Sequence, residues 1–203
     1  MDSRVGALRP PLKKRRTIYL AMKKSGTRRH KDTKPELIRL AVTGPRPENM
    51  AGVPVAYVRS HVRDTLEVFL EEHDGLVHAY SGMARGVDTI FAQQAVRMGI
   101  PLFAVIPFQG FDAQWSPFDR QVVNDLLEQA KEIRIVCEEG SKAAYQARNI
   151  AMVDACDVLL AYHIPGKAGG TKNCVDYAHS VVKTVYKTDI TKLFPTLDKT
   201  LFQ

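Results

Sequence analysis

The sequence predicts an α/β protein: a Rossmann-like fold with a mostly parallel sheet of five or six strands and helices on both faces. Three observations carry that expectation. Strand-like and helix-like segments alternate at least five times along the chain. The strand-like segments are short, almost continuously apolar runs, as expected of strands covered on both sides. The unusual loops all follow strands, and in a parallel sheet such loops gather at the carboxyl edge, where ligands bind.

Residues 37–43 read as the first strand, ending at Gly44-Pro45-Arg46-Pro47. Val55, Val58, Val62, Leu66, Phe69 and Leu70 then keep a helical period. Residues 76–80 form a second strand that runs into a turn bearing Gly82 and Gly86. Val87, Ile90, Phe91, Ala95 and Met98 mark the next helix, which Gly99 and Pro101 end. Residues 102–106 are a third strand, followed by a long loop, 107–115. Ser116-Pro117-Phe118-Asp119 opens a helix, with Ser as cap and Pro in the first turn. Residues 133–136 and 157–162 read as the fourth and fifth strands, with a helix carrying Arg148, Asn149 and Asp154 between them. Gly169-Gly170-Thr171 leads into a last helix with Cys174, Val175, Ala178, Val181 and Val182, and 184–187 is a candidate sixth strand.

Composition divides the chain. Residues 1–34 hold 12 Lys/Arg against 2 Asp, whereas the rest holds 17 basic and 20 acidic residues. The overall charge of +7 thus averages a basic arm and a mildly acidic body. The arm, 1–34, is expected to be disordered. A single domain follows over 35–190, with a tail at 191–203. Met22 offers an alternative start. Nothing in the sequence reaches the ~18 apolar residues of a membrane span, and no secretion signal is visible, so a cytoplasmic protein is expected. Cys137, Cys156 and Cys174 are widely spaced, without Cys-x-x-Cys or nearby His. Reduced thiols are therefore expected, with no metal site and no cofactor.

The chemistry is expected at the strand-following loops. Ser81-Gly82-Met83-Ala84-Arg85-Gly86 lies between strand and helix. Its glycines and the following helix dipole suit a phosphate or another anion. Gly44 and Arg46 after the first strand, and Gly169, Gly170 and Thr171 after the fifth, complete the candidate phosphate cradle. Phe108, Phe111 and Trp115 are candidate stacking partners for a base, with Arg148 and Asn149 as further base or ribose contacts. Asp88, in the first turn after the glycine loop, is the candidate catalytic or ribose-binding carboxylate. His163 stands where the fifth strand ends. Asp154 and Asp157 read as structural. Standard motifs fail: no G-x-G-x-x-G follows the first strand, residues 166–172 carry a P-loop's residue types out of order, and there is no G-x-S-x-G elbow.

These residues resemble the SLOG superfamily, named for the Smf/DprA DNA-processing proteins and the LOG cytokinin-activating enzymes. The most similar branch is the YpsA/YspA-like group. The similarity runs from about Arg39 to Ala178. It rests on residues 42–47 and 81–88, Ile100-Pro101, Ile106-Pro107-Phe108, Trp115, Arg148-Asn149, Met152-Val153-Asp154, Gly169-Gly170-Thr171 and Tyr177-Ala178. It implies a Rossmann-like fold, a homodimer or higher homo-oligomer, and a nucleotide-derived ligand near the glycine loops.

Three functions follow as expectations. The first is binding of a nucleotide or nucleotide-derived ligand, as a sensor or regulatory protein. The second is weak single-stranded nucleic-acid binding, DprA-like or through the basic arm. The third is a LOG-like N-glycosidase. Against it, the position of the LOG glutamate, three residues after the loop threonine, is Cys174 here. Asp176, about 200° further round the helix, is expected to face elsewhere.

Overall fold

The computed structural model describes residues 36–194, so the basic arm and most of the tail lie outside the described residues. The elements are β1 (Ile38–Thr43), α1 (Val55–Glu72), β2 (Val77–Ser81), α2 (Val87–Arg97), β3 (Leu102–Ile106), α3 (Pro117–Glu128), β4 (Glu132–Ile135), α4 (Lys142–Ala155), β5 (Val158–His163), α5 (Gly170–Ser180) and β6 (Thr184–Asp189). Short 3-10 turns follow β1 at Pro47–Asn49 and β6 at Ile190–Lys192. The six strands form one sheet in the order β4-β3-β2-β1-β5-β6, and every neighbouring pair is parallel.

Handedness explains the layering. Right-handed crossovers from β1 outward to β4 place α1, α2 and α3 on one face. The return from β4 to β5 and on to β6 reverses direction, so α4 and α5 cover the other. The packing agrees: α1 and α3 lie against α2, and α4 lies against α5. Alternate strand residues serve the two faces. Ala41, Leu159 and Ala161 join Met152, Val153, Cys174 and Ala178 beneath α4 and α5. Tyr162 turns the other way, its hydroxyl 3.1 Å from Nδ1 of His61 on α1.

Local signals act as the sequence suggests. Ser116 caps α3 by accepting the Asp119 N–H at 3.1 Å. Gly99, at φ +70°, ends α2 in the left-handed conformation. The sixth strand is present and runs to Asp189. One strand departs from the doubly covered pattern: all four residues of β4 are exposed, Ile133 and Ile135 at 45% and 50%. It is one of the two edges of the sheet.

Candidate anion-binding cleft at the change of strand order

The chain leaves β1 toward β2 on one side, while β5 lies on the other. Outside the carboxyl ends of β1 and β5 the loops therefore part, leaving a crevice. A cleft of about 700 Å³ occupies it. Gly44 and Arg46 after β1, and His163, Ile164 and residues 166–171 at and beyond the end of β5, form its walls. Ala84 comes in from the loop after β2, Asp88 from α2, and Tyr145, Arg148 and Asn149 from α4.

At the base Arg148 and Asp88 form a buried ion pair, Nη1 to Oδ2 3.3 Å, with side chains 9% and 6% exposed. The same Nη1 donates to the Gly82 carbonyl. Asp88 also accepts the Ala84 N–H, so the first turn of α2 is neutralised by its own carboxylate. Burial pushes the Asp88 carboxyl up to about 6, and Arg148 offsets part of that rise. Arg148 Nε is buried without a hydrogen-bond partner among the described residues.

The glycines of the Ser81–Gly86 loop are closely packed, while Ala84 of the same loop reaches the cleft. A Cβ on Gly82 would stand 1.8 Å from Arg148 Nη1 and 2.9 Å from Asp88 Oδ2. One on Gly86, at φ +98°, would meet the Pro45 carbonyl at 2.5 Å, and one on Gly44 would meet Val87 at 2.6 Å. These glycines lock the β1 and β2 loops and Arg148 together. Ser81 is fully buried; its hydroxyl donates to the Asp88 carbonyl at 2.9 Å and accepts the Met83 N–H at 3.1 Å. Met83, also fully buried, takes the left-handed turn at φ +56°. The structure therefore does not bring Ser81, Gly82, Met83 or Gly86 to the cleft wall. A bulky residue at Gly82 would disrupt this packing, not leave the domain intact.

Arg85 is also turned aside. It pairs with Glu48 at 3.1 Å and Asp119 at 3.6 Å, and its guanidinium lies 5.9 Å from the Trp115 ring centre. Trp115 meets Phe111 edge-on at 5.3 Å. Phe108 supports Tyr145 edge-on at 5.5 Å. None of Phe108, Phe111 and Trp115 lines the cleft, whereas Tyr145 does. Tyr145 was legible in principle: it precedes Arg148 and Asn149 by three and four residues, one helical turn.

The α5 end of the cleft differs in kind. Ser116 and Ser141 cap α3 and α4 with their hydroxyls. The α5 cap is Gly169, at φ +129°, with no side-chain cap, and Gly170 has open space where a Cβ would stand. Orphan backbone N–H groups of that first turn thus meet the cleft. Arg46, Lys167, Lys172 and Lys187 line the same space. Lys167 Nζ donates to Asn49 Oδ1 at 2.9 Å, tying the two walls. His163 lines the cleft as well. The lysines come from three consecutive elements, a loop, a helix and an edge strand, and no local pattern in the sequence shows that their side chains converge on one space.

Cys174 and Asp176 settle differently. Cys174 is fully buried in the α4/α5 core, and burial pushes its thiol up to about 12. Asp176 corrects the expectation that it faces elsewhere: it lines the cleft, paired with Lys172 at 2.5 Å. The 200° rotation from Cys174 holds, but it is the core that Cys174 faces. Asp154 accepts the Tyr177 hydroxyl at 2.8 Å and Asp157 the Arg39 N–H at 2.8 Å, both structural. Among the described residues no three His, Cys, Asp or Glu side chains gather to hold a metal ion, and no helix is long and apolar enough to cross a membrane.

No protein-family model matches this sequence, and no curated protein matches it. Solved structures do. DNA processing protein A from Streptococcus pneumoniae superposes with a TM-score of 0.54 at 19% identity, over 80% of this chain and 52% of that one. The same-named protein from Helicobacter pylori, described for its single-stranded DNA binding mode, gives 0.56 at 18%, over 81% and 68%. The chain thus spans about half the length of the first. The Rossmann-like fold expected from the sequence is thus shared with these two proteins over about 80% of this chain; nothing here singles out the YpsA/YspA-like branch.

Proposed function

We propose that this chain, with the fold of DNA processing protein A, binds a phosphorylated, nucleotide-derived ligand in the cleft between β1 and β5. One observation carries the reading. The only α-helix N-terminus among the cleft-lining residues without its own carboxylate or hydroxyl cap is that of α5. It opens onto Arg46, Lys167 and Lys187 at the change of strand order. Dipole, free N–H groups and cations act on one space, which favours an anion. The phosphate sits at Gly169, Gly170 and Thr171, and Tyr145 offers a π-face for a base. The Asp88–Arg148 pair holds the base of the cleft in place, and Asp88 serves as an acceptor for a sugar hydroxyl when ionised. A sensing or regulatory role, rather than turnover, fits a site whose carboxylate is engaged by arginine.

Calorimetric titration with nucleoside mono-, di- and triphosphates and ADP-ribose tests this. Binding that Gly170→Val and Lys187→Ala each weaken, in folded protein, supports it. No binding by any of these ligands sinks it.

A second reading is single-stranded DNA binding, supported by the likeness to the Helicobacter pylori protein and by the basic residues 1–34. Phosphate contacts of that kind weaken steeply with salt. Salt-sensitive binding retained by residues 35–203 alone would favour the body; binding lost with residues 1–34 would assign it to the arm. No binding of single strands at low salt would end this reading. A LOG-like glycosidase is not proposed, since Cys174 supplies no carboxylate.

A further inference from the structure

Resting on the nucleotide reading above, we propose that the cleft holds two adjacent phosphate subsites, and that its ligand carries a diphosphate rather than a single phosphate group. Five cations line the cleft: Arg46, Arg148, Lys167, Lys172 and Lys187. Two are matched in place, Arg148 by Asp88 and Lys172 by Asp176. The third acid of the lining, Glu48, is held by Arg85, which stands outside it. Arg46, Lys167 and Lys187 therefore keep no ion-pair partner among the described residues. Arg46 reaches Asp88 only through its field, the least of the influences on that carboxyl.

This excess stands in a body whose residues 35–203 hold 17 basic and 20 acidic side chains. Like charges gathered in one cleft raise the local potential, and an anion relieves it. The start of α5 adds about half a positive charge to the three unpaired cations. A phosphate monoester brings about −1.5 to −2 at neutral pH, so one phosphate leaves roughly half of that charge unmatched.

Nor do the cations surround a single point. Strand order sets β5, and with it the start of α5, between β1 and β6. Arg46 enters from the β1 side and Lys187 from β6, strands about 10 Å apart at two sheet spacings. Lys167 belongs with Arg46. Its Nζ donates to Asn49 Oδ1 at 2.9 Å, and the Asn49 N–H donates to the Arg46 carbonyl at 2.9 Å. The amide holds Lys167 on the β1 wall without neutralising it. One phosphate thus meets the uncapped first turn of α5 beside Lys187, and the other meets Arg46 and Lys167. A diphosphate lying along the carboxyl edge of the sheet engages both.

Calorimetric titration of the full chain with the mono-, di- and 3′,5′-bisphosphates of the same nucleoside, for each common base, tests this. The diphosphate is expected to bind about tenfold or more tightly than the monophosphate. The 3′,5′-bisphosphate adds a phosphate at a separate hydroxyl and is expected to gain little. Arg46→Gln and Lys167→Gln are expected to weaken the diphosphate more than the monophosphate, while Gly170→Val, at the shared α5 subsite, weakens both. Arg46 and Lys167 are exposed, so an unchanged melting temperature shows that these variants fold. Equal affinity for mono- and diphosphate overturns the proposal and leaves nucleotide binding standing. An equal gain by the 3′,5′-bisphosphate also overturns it, because a general positive field then explains the preference. So does a diphosphate preference that neither glutamine variant reduces. If no nucleotide binds, the nucleotide reading falls and the proposal with it.

Discussion

Arg148 and Asp88 meet beneath the cleft with Nη1 and Oδ2 3.3 Å apart, although sixty positions separate them in the chain. The contact joins α4 on one face of the sheet to the first turn of α2 on the other. It passes over Gly82, whose lack of a side chain makes room for the guanidinium. One glycine, one arginine and one aspartate thus fix the relative placement of the two loops that form the base of the site.

Gly82→Ala should destabilise the domain by about 1–3 kcal/mol, because the added methyl must displace a buried guanidinium. Gly170→Ala meets open space and should leave stability within about 0.5 kcal/mol. Urea unfolding of the two variants checks the contrast. Equal effects would mean that Gly82 is not the spacer described.

Asp88 gives the stability a pH dependence of definite sign. Its carboxyl is pushed up from 3.8 to about 6 by burial, so the folded state holds the proton more tightly than the unfolded state does. The resulting contribution is fully present below pH 3.8, declines as pH rises through about 6, and is absent above. Asp88→Asn should remove this component. Urea midpoints between pH 4 and 7, with the carboxyl followed by NMR, report it directly. A titration near pH 4 would contradict the burial account.

Removing Arg148 leaves Asp88 buried without a counter-charge. Arg148→Met should therefore move the Asp88 titration further up and cost several kcal/mol, on the order of the 3–5 kcal/mol seen when one partner of a buried pair is lost. An unchanged Asp88 titration in this variant would show that the pair is not coupled.

The sequence reading and the structure part company at identifiable places. Strand and helix alternation was legible, since a parallel sheet writes itself as short apolar runs between periodic segments. The change of strand order, and hence the cleft, was not: nothing local in β1 or β5 says that they are neighbours. The Gly82 and Gly86 loop looked like a phosphate cradle because close packing and anion binding both demand glycine. Only the positions of Arg148, Pro45 and Asp88 separate the two uses. Gly44, Arg46, Gly169, Gly170 and Thr171 do line the cleft. Trp115 and Phe111 went to each other and to Arg85, a choice set by the fold of a long loop.

The thiols should react in an order set by burial. Cys156 and Cys174 are buried, with both thiols pushed up to about 12, while Cys137 is partly exposed. Alkylation of the native chain at neutral pH should label Cys137 first, because the thiolate is the reactive form and must be reached. Installing a carboxylate by Cys174→Glu should destabilise the core and confer no release of base from nucleoside monophosphates. Mass spectrometry and an assay for free base read the two outcomes. Robust base release by that variant would contradict the placement of Cys174 in the core.

We place the proposed anion site at the start of α5 and not at the Ser81–Gly86 loop. Amide chemical shifts of isotope-labelled protein, followed during titration with a nucleoside diphosphate, test it most directly. The largest shifts are expected at Gly169, Gly170, Thr171 and Lys172, with downfield movement as their N–H groups meet phosphate, and small changes at Met83, Arg85 and Gly86. Saturating shifts centred on Ser81, Gly82 and Gly86, with the Gly169–Gly170 amides unmoved, would contradict it.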